Sequence, residues 1–268
     1  PVTLVFGAWL PLLNAKLAAD HIGGAWLYGA NSVGAAFGAL LAGFVMIPLL
    51  GSTTTLCVAA LLCFVLGMAW SEDRKAWAFI ILLCVASVPV LKMPEVVTLQ
   101  PLTHANTRDV FLFEDALSIT HVVEKNDGQR ILLSDLQRMD ASTDPASVAV
   151  QKNQARLPLV LHPDPKSILF LGLGTGISAA GSIGISTLER SAVEISRGAI
   201  AASKTLFSTA NNNITEKMHV VHDDAKRYLI NNPAKFDVIV GDLFHPDMVG
   251  RSTLLSIQQF QRAYDHLN

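Results

Sequence analysis

Charge is scarce in this sequence. Only 16% of its 268 residues are Asp, Glu, Lys or Arg, against 51% hydrophobic, and the mean hydropathy is +0.40. Soluble domains carry about a quarter charged residues, so the shortage predicts that part of the chain lies in a membrane. Neither sign of charge dominates, since 20 Lys and Arg face 22 Asp and Glu. No basic field draws nucleic acid, which is not expected as a partner. Cysteine is nearly absent too. Cys57, Cys63 and Cys84 each sit inside an apolar run without CxxC or Cys/His spacing, so they read as small hydrophobes, and no residue cluster suggests a metal centre. A targeting peptide is not visible, although the absent start could hide one, and repeats and low-complexity tracts are missing. So is an initiator methionine: the chain opens on Pro1 and closes on "FQRAYDHLN", which reads as helix, so a fragment at both ends is expected.

The apolar excess is concentrated in residues 1–91. "WLYGANSVGAAFGALLAGFVMIPLL" (26–50) is long enough to cross a bilayer, for which about 20 helical residues suffice. "TTTLCVAALLCFVLGMAW" and "AWAFIILLCVASVPVL" are shorter and equally free of central charge, and "PVTLVFGAWLPLL" reads as the tail of a further span. Three or four such runs in succession favour transmembrane helices over a buried soluble core. Gly34 and Gly38 form a GxxxG that admits a close helix neighbour, toward which Tyr28 and Asn31 are expected to turn. Lys16, Arg74, Lys75 and Lys92 flank the runs on both sides, so charge does not orient them.

Beyond a stretch at 92–113, read as a linker, the pattern from 114 to 268 is that of a water-soluble α/β domain. "DALSITHVVEKNDGQRILLSD" is two β-type runs around Asn126-Asp127-Gly128, a hairpin signal. "DPASVAVQKNQARLPLVL" offers Asp144 as N-cap and Pro145 as first helical residue. "SILFLGL", "RSAVEI", "MHVVH" and "FDVIVGD" are four short apolar strands separated by helical stretches, as in a parallel sheet with crossover helices.

"ILFLGLGTGISAAGSIG" (168–184) runs from strand through a glycine turn into small residues. Gly172, Gly174 and Gly176 alternate as GxGxG, whereas a dinucleotide fingerprint places its third glycine one residue later, at Ile177. No Lys-Ser/Thr pair follows, which excludes the phosphate loop of nucleoside triphosphatases. The spacing suits an S-adenosyl nucleoside. Glu194 ends the second strand about 20 residues on, where a carboxylate can accept both ribose hydroxyls. Asp224 follows the third strand at the usual place for a contact to the adenine amino group, although it also stands where a helix cap would. Asp242 ends the fourth. Ligands of open parallel sheets bind at the carboxyl ends of the strands, so these residues converge on one cleft.

These residues carry a resemblance. The soluble part resembles the spermidine synthase (polyamine aminopropyltransferase) family in its β-hairpin piece, its "LPLVLHPDPKSILFLGLGTG", and then "VEIS", "DDA" and "FDVIVGDLFHP". The membrane part resembles the integral-membrane segment fused to such domains in bacteria. The fold implied is α/β: N-terminal transmembrane helices, a β-hairpin, and a methyltransferase-like (Rossmann-like) parallel sheet, truncated at its C-terminus. The resemblance implies decarboxylated S-adenosylmethionine as donor, a small-molecule amine as acceptor, and Asp242 as the base that takes the amine proton. Thr175 and His245 stand where the family usually carries Asp, and Val150 where it carries Tyr, while the neighbouring Gln151 persists. Thr175 and Gln151 join the glycines, Glu194 and Asp224 as implied donor contacts. His245 is a second candidate base, because histidine titrates near neutrality, or else a loop residue capping a carbonyl. His162 belongs to the "HPDPK" turn and reads as structural.

The lost acids weaken attraction for a polyamine by about 1 kcal/mol or more per charged hydrogen bond. Three readings follow. The first is a membrane-anchored aminopropyltransferase-like enzyme. The second is a methyltransferase using S-adenosylmethionine itself on a membrane-proximal substrate. The third is a transporter or sensor that binds a nucleoside or polyamine without turning it over. The bilayer and a second copy of the chain are the further partners these readings admit. The nucleotide is made in the cytoplasm, so the soluble part is expected there, on a multi-pass protein of the inner (plasma) membrane.

Overall fold

The computed structural model describes residues 11, 13–15, 24–70, 81, 107–135, 137–241 and 251–268. The chain divides into two compact units, Pro1–Met93 and Pro94–Asn268. Of the apolar runs expected at 1–13 and 76–91, only residues 11, 13 and 81 are among the described residues.

In the first unit, helix α1 (Gly24–Leu41) passes through a π-helical turn (Ala42–Met46) into α2 (Ile47–Trp70). Pro48 accounts for the widened turn, since in a regular helix its ring would collide with the carbonyl of Phe44, four residues back. Gly51, at φ 76 and ψ 164, then breaks the helix, and the hydroxyl of Thr55 donates to the Gly51 carbonyl at 2.8 Å. Gly24–Cys63 is, among the described residues, the one helical stretch long and apolar enough to cross a membrane. None of α1 is buried: Trp26 is 77% exposed, as is Leu49 of α2, and a methyl group added at Gly34 or Gly38 would meet no described neighbour within 4 Å.

The second unit contains two four-stranded sheets. The first is antiparallel, β1 (Thr107–Glu114), β2 (Ile119–Lys125), β3 (Arg130–Ser134) and β4 (Gln137–Ser142), paired in that order. The expected hairpin is its β2–β3 pair, closed by Gly128 at φ 82. Two neighbouring strands correct the simpler expectation: β1 begins inside the stretch read as linker, and β4 begins at Gln137, soon after the end of β3. β4 escapes notice because its sequence is polar, and β1 because it opens on the polar Thr107-Arg108-Asp109. Charged residues on β1 find partners across the pair, Arg108 on Glu124 and Asp109 on buried His121 at 2.7 Å. Arg130, and then Arg108, hold the Glu124 carboxyl below the usual range. Arg130 also donates to the Leu206 carbonyl at 2.6 Å, tying this sheet to the rest of the unit.

Helix α3 (Pro145–Leu161) is capped by Asp144, whose carboxylate accepts from the Ser147 N–H, with Pro145 at the first helical position as expected. The second sheet is parallel, in the order β7-β6-β5-β8: β5 (Ser167–Leu171), β6 (Glu189–Glu194), β7 (His219–His222) and β8 (Val238–Gly241). These are the four strands read from the sequence. Between them run α4 (Ile177–Ala180), α5 (Arg197–Thr205) and α6 (Ala225–Asn231), with α7 (Ile257–Asp265) following. Along β5 the side chains alternate. Ile168 and Phe170 pack with Ala155 and Leu159 of α3, while Leu169 and Leu171 pack with Leu229 of α6. Burial on both faces is why these strands read as unbroken apolar runs. A further cluster, Val122, Leu132, Ile177, Ala202 and Phe207, joins the antiparallel sheet to α4 and α5.

The strand order reverses between β5 and β8, and Asp237 fastens that junction. Its carboxylate accepts from the N–H groups of Lys166 and Ser167, the Ser167 hydroxyl and the Asn268 side chain. These bonds, that of Asn268 foremost, hold its pKa at about 2, against 3.8 for a free Asp. A carboxylate with a depressed folded pKa stabilises the fold above its unfolded pKa and loses that contribution as pH falls through the folded value. Asp237 is partly exposed, so the effect is modest. Asp237→Asn should melt below wild type at pH 6, with the gap closing between about pH 4 and pH 2; a gap independent of pH in thermal melts would refute the assignment.

Candidate functional site

The glycine turn leaves β5 at Leu171 and enters α4 at Ile177. Gly172, Gly174 and Gly176 have φ of 103, 52 and 75, a region in which residues with side chains are strained. The Gly172 N–H donates to the Val193 carbonyl of β6 and the Gly176 N–H to the Leu173 carbonyl, both at 2.8 Å. A methyl group added at Gly172 or Gly174 would meet no atom within 4 Å, so the turn is open on that side.

Glu194, the last residue of β6, is 8% exposed and turned into this loop. Oε2 accepts from the N–H groups of Leu173 at 2.8 Å and Gly174 at 3.0 Å, and Oε1 from the Ser196 N–H at 2.8 Å. A carboxylate offers about four lone-pair sites, so one remains, on Oε1. The expectation that Glu194 receives both ribose hydroxyls is therefore refined: one can be accepted as the residue stands, and a second requires a turn N–H to be released.

Ser196 relays this arrangement outward. Its hydroxyl caps α5 by accepting from the Ala199 N–H at 3.1 Å and lies 2.7 Å from the Thr120 hydroxyl of β2. A serine between strand and helix is an ordinary N-cap signal, and the sequence reading passed it over.

Behind the turn is a buried neutral network. Thr175, 3% exposed, donates from its hydroxyl to Gln151 Oε1 at 3.1 Å. Gln151 Nε2 in turn donates to the carbonyls of Ser142 and Ser147. The Thr175 carbonyl accepts from Asn211 Nδ2 at 2.9 Å, and the same nitrogen reaches the Ser203 carbonyl. Asn211 is fully buried, and nothing in the sequence pattern marks it out. Thr175 and Gln151 are thus brought together, in contact with each other and beneath the turn.

Asp224 serves as the N-cap of α6, its Oδ1 accepting from the N–H groups of Lys226 at 2.7 Å and Arg227 at 3.0 Å. Its neighbour Asp223 pairs with the Arg227 guanidinium. Asp224 stands at the carboxyl end of β7, two strands from the turn in the order β7-β6-β5. His162, as read, is structural: it ends α3, and its Nδ1 accepts from the Asp164 N–H at 3.3 Å. Asp242 and His245 lie outside the described residues. The last described residue of β8 is Gly241, whose register partner is Leu171, next to the glycine turn.

A parallel sheet of this order, with a glycine turn after the first strand and a carboxylate closing the second, has the methyltransferase-like α/β fold. Comparison with known proteins narrows the class. Residues 148–268 match the family model of the spermine/spermidine synthase domain. The chain is 29% identical over 119 residues to a polyamine aminopropyltransferase of Thermococcus kodakarensis, spanning 41% of each sequence. Against polyamine aminopropyltransferase 1 of Aquifex aeolicus it is 25% identical over 167 residues, 60% of this chain and 58% of that one. It therefore spans only about four to six tenths of these relatives. Its fold is similar to that of a spermidine synthase solved in complex with the transition state analogue AdoDATO, with a TM-score of 0.54, 21% identity, and 60% of this chain and 55% of that one covered. Spermidine synthase from Thermotoga maritima matches with a TM-score of 0.52 at 21% identity, covering 60% and 54%.

Glu194→Ala strands three buried N–H groups, each costing about 1 kcal/mol or more. A loss of roughly 2 kcal/mol or more is expected, read as a fall in Tm of about 4–8 °C for a domain of this size. An unchanged melt would mean that the turn holds its shape without the carboxylate.

Proposed function

We propose that the C-terminal unit is an aminopropyltransferase-like enzyme that takes an S-adenosyl donor, with decarboxylated S-adenosylmethionine first among candidates and a small amine as acceptor. The observation that carries this reading is the glycine turn, open in front of Gly172 and Gly174 and braced from behind by Glu194. The nucleoside's ribose meets the remaining acceptor site on Glu194 Oε1. The adenine amino group is directed toward the end of β7, where Asp224 Oδ2 makes no described hydrogen bond.

The chemistry asks little of the protein. The acceptor nitrogen attacks the carbon attached to the sulfonium, and the C–S bond breaks with its electron pair going to sulfur. Methylthioadenosine leaves as a neutral thioether, and the amine proton passes to a base. The sulfonium is already a good leaving group, so alignment and proton removal supply the rate. Asp242 follows Gly241 directly in sequence, beside the register partner of the residue that opens the glycine turn, and takes the proton in this mechanism. His245 is the alternative base.

Transfer of methyl rather than aminopropyl is the second reading, favoured by the Thr175–Gln151 pair. These two buried neutral side chains satisfy each other at a place where the family usually carries a carboxylate, and they offer a cationic donor tail no charge. The first unit is proposed as a membrane anchor of more than one span, holding the enzyme at the inner (plasma) membrane with its site in the cytoplasm. Its exposed apolar surface and the break at Gly51 support this.

Single-turnover assays with labelled decarboxylated and ordinary S-adenosylmethionine, against putrescine and spermidine, test the reaction. Asp242→Asn should slow transfer by about 10²-fold to 10⁴-fold while donor affinity survives; full rate in the variant removes Asp242 from the mechanism, and turnover of the ordinary donor alone makes the protein a methyltransferase. Alkaline carbonate washing of membranes carrying the full chain should leave it in the pellet, whereas release into the supernatant would refute membrane integration.

A further inference from the structure

A second cavity opens away from the glycine turn, between α3 and the loop that follows α4. Its volume is about 440 Å³, within the range of small-molecule sites, and neither the turn glycines, Glu194 nor Asp224 line it. Its floor forms where the two segments touch: a Cβ at Gly181 would collide with the backbone of Lys152, so the close approach requires glycine. One wall is apolar, built from Leu159, Ala180 and Ile183. The other polar feature is positive. Lys152 and Arg156 lie four residues apart on α3 and so share a face of the helix, and none of the residues lining the cavity is acidic.

Two details separate this cavity from an accidental cleft. First, its rim is fixed in advance. Arg190 of β6 donates to the Ser182 hydroxyl and carbonyl, the Leu188 carbonyl and the Ile185 carbonyl, so one guanidinium holds the loop from 182 to 188. A site shaped before its ligand arrives avoids the cost of ordering it. Second, it contains donors left over. Lys152 Nζ reaches Asn212 Oδ1 at 3.0 Å, which points the ammonium along the cavity edge. The Arg156 side chain and the Gly184 N–H make no described hydrogen bond or ion pair, although the N–H groups of Ser182, Ile183 and Ile185 around Gly184 are all bonded.

We propose that this cavity binds a phosphate ester with an apolar body. Arg156 takes the phosphate with two parallel N–H groups, Lys152 and the Gly184 N–H complete the cradle, and the body lies on Leu159, Ala180 and Ile183. Arg suits this role because its planar fork matches the phosphate oxygens. The inference does not rest on the reaction proposed for the glycine turn.

The test is calorimetry on the full chain in phosphatidylcholine nanodiscs, with phenyl phosphate as probe, and with inorganic phosphate and benzyl alcohol as its two halves. Phenyl phosphate should bind, each half should bind at least tenfold more weakly, and Arg156→Gln and Lys152→Gln should each lose about tenfold or more. Arg156 is exposed and unengaged, so its variant is expected to melt as wild type does, which separates lost binding from lost fold. Nanodiscs containing phosphatidic acid distinguish the source of the phosphate. A fall in apparent affinity there means that a lipid headgroup reaches the cavity, and no change means a free ligand; both sustain the site. The proposal is overturned if phenyl phosphate does not bind at millimolar concentration, binds equally to both variants, is matched by inorganic phosphate, or is displaced by S-adenosylmethionine.

Discussion

The carboxylate of Glu194, buried at the end of β6, accepts hydrogen bonds from both sides of the sheet's carboxyl edge. Two come from the glycine turn after β5 and one from Ser196, which leads into α5. A buried carboxylate is costly unless its lone pairs are occupied, and here the backbone occupies three of about four. Because Ser196 then caps α5 and touches Thr120, the position of one carboxylate is felt in the turn, in a crossover helix and in the antiparallel sheet. The turn's three left-handed glycines would be loose in isolation. Bonded to a fixed anion, they become a defined surface.

The network behind the turn has a different character. Thr175, Gln151, Asn211 and the carbonyls they reach are neutral, buried and nearly all paired, although Asn211 Oδ1 has no partner among the described residues. Neutral buried hydrogen bonds contribute about 1 kcal/mol each, whereas leaving one member unpaired costs more. Such a network rigidifies the back of the site and leaves it without charge. A cationic group placed against these side chains would find no charged partner among them.

Much of the fold was legible in the sequence because burial writes itself into composition. The four parallel strands are covered on both faces and appear as apolar runs, and Asp144-Pro145 announces α3 through cap chemistry that needs no tertiary partner. The strand β1 was not legible, because it opens on polar residues that are satisfied by partners on the neighbouring strand, Glu124 for Arg108 and His121 for Asp109, and β4 because its sequence is polar. The site divides in the same way. The glycines and Glu194 are marked by spacing, but that Glu194 grips its own backbone is a matter of rotamer and register. Asp224 shows the limit plainly: one sequence position suits an adenine contact and a helix cap equally, and the structure finds it capping. Asn211 has no signature, because its partners are carbonyls, which every residue carries.

The clamp at Asp237 has a consequence for how the molecule assembles. In the antiparallel sheet, the contact between Ile119 and Asp135 closes a loop of 16 residues, whereas Asp237 reaches Ser167 across 70. Closing a longer loop costs more chain entropy, and folding slows as contacts become more distant in sequence. The hairpin sheet can form while the parallel sheet is still open, and β8 joins β5 at a lower entropic cost once β6, β7 and their helices have shortened the loop between them. The edge where the strand order reverses is thus the costlier of the two to close. A chain arrested before that step would already have its glycine turn and Glu194, with no far wall to the cleft.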